Sequence, residues 1–321
     1  MRRWGVVLVA CLACLGASCG GAAPEAAPAP AAPVVHHDTA DLAEQIVAGR
    51  VSILVYMDRV RASPMGKQLD ETFHWKEFWE GTGFELERDV ERSFGTTPDL
   101  QHPERGVWVS EVNVPMERVK KAAKALFDLG RTKGHFLDGD PNACDVELRD
   151  GSTRRVVFVE PKWVVMLPID RAAEAPRFAR SGGFPDPVGA EAVVMYALDP
   201  SKTLHRAKNN VDVPAAMKRI SADVAFDVEG GLEIAVDGES TSAEQAKLDA
   251  ADLTHAVDEA TSVGVSALRV HFIDPIVFRA DGDHVRGRRT MPVSEVKSIL
   301  AFARMRPQPA DATASTSPEK N

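Results

Sequence analysis

Cysteine and histidine are the side chains here whose chemistry depends most on placement, and the 321-residue chain holds four of one and nine of the other. Cys11, Cys14 and Cys19 crowd the first nineteen residues, and Cys144 stands alone in the rest. A lone body thiol forms no internal disulfide and excludes paired-cysteine metal sites, so Cys144 reads as a small buried filler. His36 and His37 lie in a Pro/Ala-rich stretch and lack a third fixed ligand. Asp138-Gly-Asp140-Pro-Asn142-Ala-Cys-Asp145 alternates oxygen ligands like the start of a calcium loop. It has Ala143 at the sixth position and Arg149 at the twelfth, so it reads as a polar turn. Asp281-Gly-Asp283-His284 offers a carboxylate–imidazole pair, yet Asp-Gly is foremost a hairpin turn. His135 and His271 are joined to no carboxylate by spacing. There is no Gly-x-Ser-x-Gly elbow, His-Glu-x-x-His pair, phosphate loop or dinucleotide fingerprint. The expectation is no catalytic residue, no cofactor and no metal ligand.

The three early cysteines make sense together with their neighbours. Arg2 and Arg3 precede an apolar run from Trp4 to Ala17, and a small-residue patch then ends in Cys19. That is the three-part grammar of an export signal. The run falls short of the ~20 apolar residues that span a bilayer, so a permanent transmembrane helix is not expected. From Gly20 to about His37 the chain is mostly Ala and Pro, a composition that forms an extended, semi-rigid spacer.

Leu15-Gly16-Ala17-Ser18-Cys19 resembles the lipobox of bacterial lipoproteins. The family usually has Leu three residues before the cysteine; here Gly16 holds that place and Leu15 sits one earlier. The resemblance implies cleavage before Cys19, lipidation of its sulfur, and acyl chains of the palmitate type that hold the protein to a membrane. Cys14 is the rival acceptor. A plain signal peptide cut near Ala22 or Ala23 is the alternative, and an uncleaved anchor the next. The absence of Asp after Cys19 points, within that resemblance, to the outer membrane of a bacterial cell envelope.

Acidic side chains outnumber basic ones, 47 to 38, and removal of Arg2 and Arg3 with the signal widens the gap. An acidic body without a basic stripe argues against nucleic acid. The organisation expected is a signal over 1–18, a tether over 19–40, a first half over 41–182, a second over 190–306 and a disordered tail over 307–321.

In the first half, strands are expected over Val51–Met57, Gly106–Val114, Asp145–Arg149, Arg154–Val159 and Trp163–Leu167. Ser63-Pro64 opens a helix whose Met65, Leu69, Phe73, Trp75 and Trp79 share one arc, with His74 facing water. A short helix with Leu86, Val90 and Phe94 on one side follows, its Glu85, Glu87, Arg88, Glu91 and Arg92 forming a solvated face. Pro115 starts another helix, and a further one runs from Pro168 to about Arg180. In the second half, Ala192–Ala197 is a buried strand and Asp223–Val228 pairs with Leu232–Val236 as a hairpin. Thr241-Ser242 caps a helix with Gln245 completing a capping box. Its apolar line is Ala246, Ala250, Leu253, Val257 and Ala260. Strands over Leu268–Ile273, Ile276–Ala280 and His284–Arg289 precede a last helix from Pro292.

Pro168–Arg180 aligns without a gap to Pro292–Arg304, both closing on Phe-Ala-Arg. Each follows three short strands, and each half opens with a tyrosine-bearing strand, Tyr56 or Tyr196. The fold class expected is α+β, mainly antiparallel sheets with helices packed on one face, built from two similar halves. A duplicated body often forms a groove where its halves meet, which makes the breaker-rich joint over 181–189 the place to look for a ligand. The function expected is a membrane-anchored envelope lipoprotein that binds a protein or a small molecule. An exported hydrolase with a scattered site and a passive structural protein are the alternatives.

Overall fold

The run at Val51–Tyr56 forms β1, and the body is hung on both sides of it. The computed structural model describes residues 49–148, 151–177, 184–204, 212–265, 268–271 and 274–305, with the backbone alone at 261–265, 268–271 and 302–305. The signal, Cys19, the tether, His36, His37 and the tail lie outside the described residues, as do the side chains of His271 and Arg304 and the whole of Arg180.

After β1 come four helices, α1 (Met57–Ala62), α2 (Pro64–Phe73), α3 (Trp75–Trp79) and α4 (Leu86–Asp89). Then follow β2 (Val90–Thr97), β3 (Val107–Val112) and α5 (Met116–Asp128). β4 (Lys133–Leu137), β5 (Asp140–Glu147), β6 (Thr153–Val159) and β7 (Trp163–Leu167) complete the first half. The second half runs β8 (Glu191–Leu198), α6 (Pro200–Thr203), β9 (Arg219–Phe226), β10 (Leu232–Glu239) and α7 (Ala243–Thr261). β11 (Ser262–Val265), β12 (Leu268–His271), β13 (Phe278–Asp281), β14 (His284–Met291) and α8 (Val293–Met305) end it.

Among the described residues, twelve strands form one antiparallel sheet in the order β13-β14-β10-β9-β8-β1-β2-β3-β7-β6-β5-β4. Its seam is the pair β1·β8, where Ile53 faces Met195 and Leu54 faces Val194. Counted outward from that seam, one side reads first, second, third, seventh and sixth strand of its half. The other side reads first, second, third, seventh and sixth of its own. β11 and β12 stand apart as a two-stranded ribbon, whereas the sequence placed Leu268–Ile273 among the strands of the half.

The strand period sorts the side chains into two faces. Along one face a single row crosses the sheet, and its centre is Met166, Trp108, Gly95, Ile53, Met195 and Ala222. Gly95 is needed there because a Cβ would stand 2.7 Å from Trp108 Cη2. The helices cover this face. Met65 of α2, Leu253 and Val257 of α7 and Val296 and Leu300 of α8 join its second-half cluster, while Met116, Val119 and Ala122 of α5 join its first-half cluster. Val55 touches both clusters.

The opposite face differs between the halves. From the seam into the first half, Val194, Leu54, Phe94, Val109 and Val165 pair in one line and are fully buried. Into the second half the same line continues as Asp223, Ala235 and Arg288. Neighbouring lines there carry ion pairs, Arg219 with Glu239 and Arg286 with Asp237. The halves share a strand order but present an apolar outer surface on one side and a charged one on the other.

Local signals were obeyed where their geometry was unambiguous. Ser63 Oγ accepts from Met65 N at 3.1 Å and Pro64 is the first residue of α2. Pro115 precedes α5, which gives way to a left-handed Gly130. Ser242 Oγ accepts from Gln245 N at 3.2 Å, but the Gln245 side chain turns to Asp249, so only half of the capping box forms. Ala256, not Ala260, is buried along α7.

Other expectations were overturned. The helical arc does not run through to Trp79, because His74 takes a left-handed conformation (φ 55°) and splits α2 from α3. Asp70 fixes that break: its carbonyl accepts from His74 N at 2.7 Å and its carboxylate from Lys76 N at 2.7 Å. His74 is exposed, as expected. The helix expected through Phe94 is a single turn followed by the central strand β2. A bulge between Val90 and Arg92 reverses the alternation, so Val90 faces the helices and Phe94 the opposite side. The segment after Pro168 begins as a 3-10 turn, Ile169–Glu174, where its aligned counterpart is the α-helix α8. β4 and the early start of β5 make four strands after α5, not three.

One buried carboxylate ties these parts together. Asp89 ends α4 and is 1% exposed. It accepts from Glu85 N at 2.8 Å, from Arg88 Nε at 2.8 Å and from Arg118 Nη2 at 2.9 Å, linking α4 to α5. Burial opposes its ionisation, but the Arg88 and Glu85 hydrogen bonds and the Arg118 charge win and hold its carboxyl below the usual range.

Candidate binding site at the joint between the halves

Residues 184–186, which precede the first strand of the second half, lie against the apolar outer face, and the residues beneath them form a built surface. Cross-strand pairing places Tyr56 of β1, Arg92 of β2, Glu111 of β3 and Trp163 of β7 in one row. The next row along the strands is the buried line of Leu54, Phe94, Val109 and Val165. Both rows face this segment.

Phe184 enters between two rings, centroid to centroid 5.2 Å from Trp163, edge-on, and 5.9 Å from Phe94. It is 9% exposed. Arg92 holds the backbone beside it: Nη1 donates to Phe184 O at 2.7 Å and to Pro185 O at 3.2 Å, and Nη2 to the Asp186 carboxylate at 2.9 Å. Tyr56 Oη donates to the same Pro185 carbonyl at 3.2 Å. Glu111 lies behind Arg92, with its Oε2 3.5 Å from Nε and its Oε1 paired to Lys162 Nζ. Further along, Arg59 donates to Gly189 O and Glu191 O, while the buried Glu191 carboxylate accepts from Val188 N at 2.6 Å and Gly189 N at 2.8 Å.

Arg92, Tyr56 and Arg59 are donors aimed at backbone carbonyls. Burial and then the Glu191 charge push the Tyr56 phenol up to about 12, against the pull of Arg92 and Arg59. At neutral pH it is therefore a hydrogen-bond donor and not a base. Because the folded value lies above the ordinary 10, this contribution to stability is complete below pH 10 and is lost as pH rises towards about 12. A wild-type minus Tyr56→Phe absorbance titration should show tyrosinate appearing near pH 12; appearance near pH 10 would contradict the burial.

The residues singled out from the sequence lie elsewhere. His135 is exposed on the edge strand β4, and His284 is on β14, ten strand intervals away along the sheet. They share no site. His284 Nδ1 lies 2.6 Å from Asp237 Oδ1, so its carboxylate partner is on β10 and not within 281–283. Asp281 instead meets Arg286. Ser221 Oγ donates to the backbone carbonyl of Asp237 at 3.3 Å and is not bonded to the imidazole. Asp281–His284 is the turn of the β13–β14 hairpin, with Gly282 left-handed. Asp138 and Gly139 form the β4–β5 turn, and Asp145 is held by Arg155 at 2.7 and 2.9 Å. Cys144 is buried, and burial with the Asp145 charge pushes its thiol up to about 12.

Arg92 was not expected here: it was assigned to a solvated helical face. The bulge in β2 turns it inward to the joint. Phe184-Pro-Asp-Pro187 was the readable signal, an aromatic residue set in a stretch that forms neither helix nor strand.

The class defined by the fold is thus an α+β body on a twelve-stranded antiparallel sheet, with the row of Tyr56, Arg92, Glu111 and Trp163 beside residues 184–186. No family model matches the chain, and no curated protein matches it in sequence. Among solved structures it is similar to one described as "Structure of crystal form I of TP0453", with TM-score 0.47 and 8% identity over 82% of this chain and 98% of that one. Crystal form III of the same protein gives 0.46 and 9%, covering 80% and 97%.

Proposed function

We propose that this chain is a cell-envelope lipoprotein, anchored through acylated Cys19 and standing off the membrane on its Ala/Pro tether. Its body is a non-catalytic binding module that meets its partner at the joint. The observation that carries the reading is the order of three segments: a charged and apolar start, Cys19, and then a spacer with almost nothing to bury. More than one acyl chain, at ~0.8 kcal/mol per buried methylene, gives stable attachment. The joint row supports the binding half of the reading, because Tyr56 and Arg92 in it are aimed at peptide carbonyls. The shared strand order supports a body made of two copies of one unit, and the missing Asp after Cys19 supports the outer membrane.

Detergent phase partition tests the anchor. Wild type should enter the detergent phase and Cys19→Ala the aqueous phase. Wild type in the aqueous phase would mean a soluble exported protein. Both in detergent would mean an uncleaved apolar anchor.

A further inference from the structure

The contacts that hold residues 184–186 are of a kind that any peptide of the right pattern would satisfy. Arg92 and Tyr56 address the carbonyls of residues 184 and 185, which every peptide has. Among the described residues, two contacts read side chains: the slot between Phe94 and Trp163 takes the Phe184 ring, and Arg92 Nη2 takes the Asp186 carboxylate. Pro185 and Pro187 carry no N–H and favour an extended backbone, so they leave no donor unmet. Phe184–Gly189 lies outside every strand, so lifting it leaves the β1·β8 pairing intact.

We propose that this row is a recognition site for an extended peptide bearing an aromatic residue, a proline and an acidic residue in succession, and that Phe184-Pro185-Asp186 occupies it in cis. The proposal rests on the binding-module reading and names its partner class. The cis segment competes as a tethered ligand at high effective concentration, so a partner binds only when its own segment matches or outbids it. Arg92 supplies the selection: a basic residue after the proline would meet its guanidinium. Glu111, itself paired to Lys162, places a carboxylate behind that guanidinium.

The test uses the full-length protein in mild detergent and a synthetic peptide with the sequence of residues 181–188, with binding read by calorimetry. Phe184→Ala, which empties the slot, should bind the peptide at least about tenfold more tightly than wild type. Adding Arg92→Ala should abolish that gain, and a peptide with alanine for its phenylalanine should not bind. If Phe184→Ala does not fold, Asp186→Lys carries the test, since it keeps the plug and removes the clamp; it too should bind more tightly than wild type. Absence of saturable binding to every folded variant at millimolar peptide would overturn the proposal. So would binding that survives Arg92→Ala, which would mean a slot open to any apolar group. Neither result bears on acylation of Cys19, which is read separately.

Discussion

Phe94→Ala should destabilise the protein by about 3–5 kcal/mol, as expected for an aromatic side chain deleted from a closed core. Phe94 is 0% exposed and paired to Leu54 on one side and Val109 on the other, both also fully buried. The strands beneath it are central in the sheet and unable to move together, so the cavity stays open. Urea unfolding of the variant measures the effect. A loss under about 1 kcal/mol would mean that the outer apolar line is not core.

Asp89→Ala should have the second largest effect, about 2–3 kcal/mol. Pairs buried on both sides lose ~3–5 kcal/mol when one partner is removed. Here Arg88 and Arg118 are partly exposed and can turn to water, which discounts the figure. What is lost is the buried junction of α4 with α5. Because the folded carboxyl is held low, its contribution is present at neutral pH and lost as pH falls through the folded value. Asp89→Ala should therefore flatten the acid limb of the stability profile. Glu87 and Glu295 work oppositely: burial raises both, so their contribution is present below the ordinary carboxylate range and lost as pH rises. An unchanged acid limb in Asp89→Ala would contradict the assignment.

The parts legible from sequence were those with one geometric reading. Val51–Tyr56, Trp163–Leu167 and Ala192–Ala197 are apolar β-branched runs, and all three are central or near-central strands. Ser63-Pro64 and Ser242 are caps because a side-chain oxygen and a free N–H sit at fixed offsets. Leu86, Val90 and Phe94 are four apart, which fits one face of a helix as well as one face of a strand. The bulge after Val90, invisible to periodicity, then put two of them on opposite faces. β4 was hidden by being short and at the edge, with only Phe136 and Leu137 to signal it. The row beneath Phe184 was not legible. Arg92, Glu111 and Trp163 are separated by 19 and 52 positions, and only strand pairing brings them into one row.

The placement of the protein at a membrane is the claim on which the functional account stands, and metabolic labelling with a fatty-acid analogue tests it most directly. Wild type should carry the label, Cys14→Ala should carry it equally, and Cys19→Ala should carry none. Label retained in Cys19→Ala and lost in Cys14→Ala would move the acceptor. No label on the wild-type protein would contradict the account.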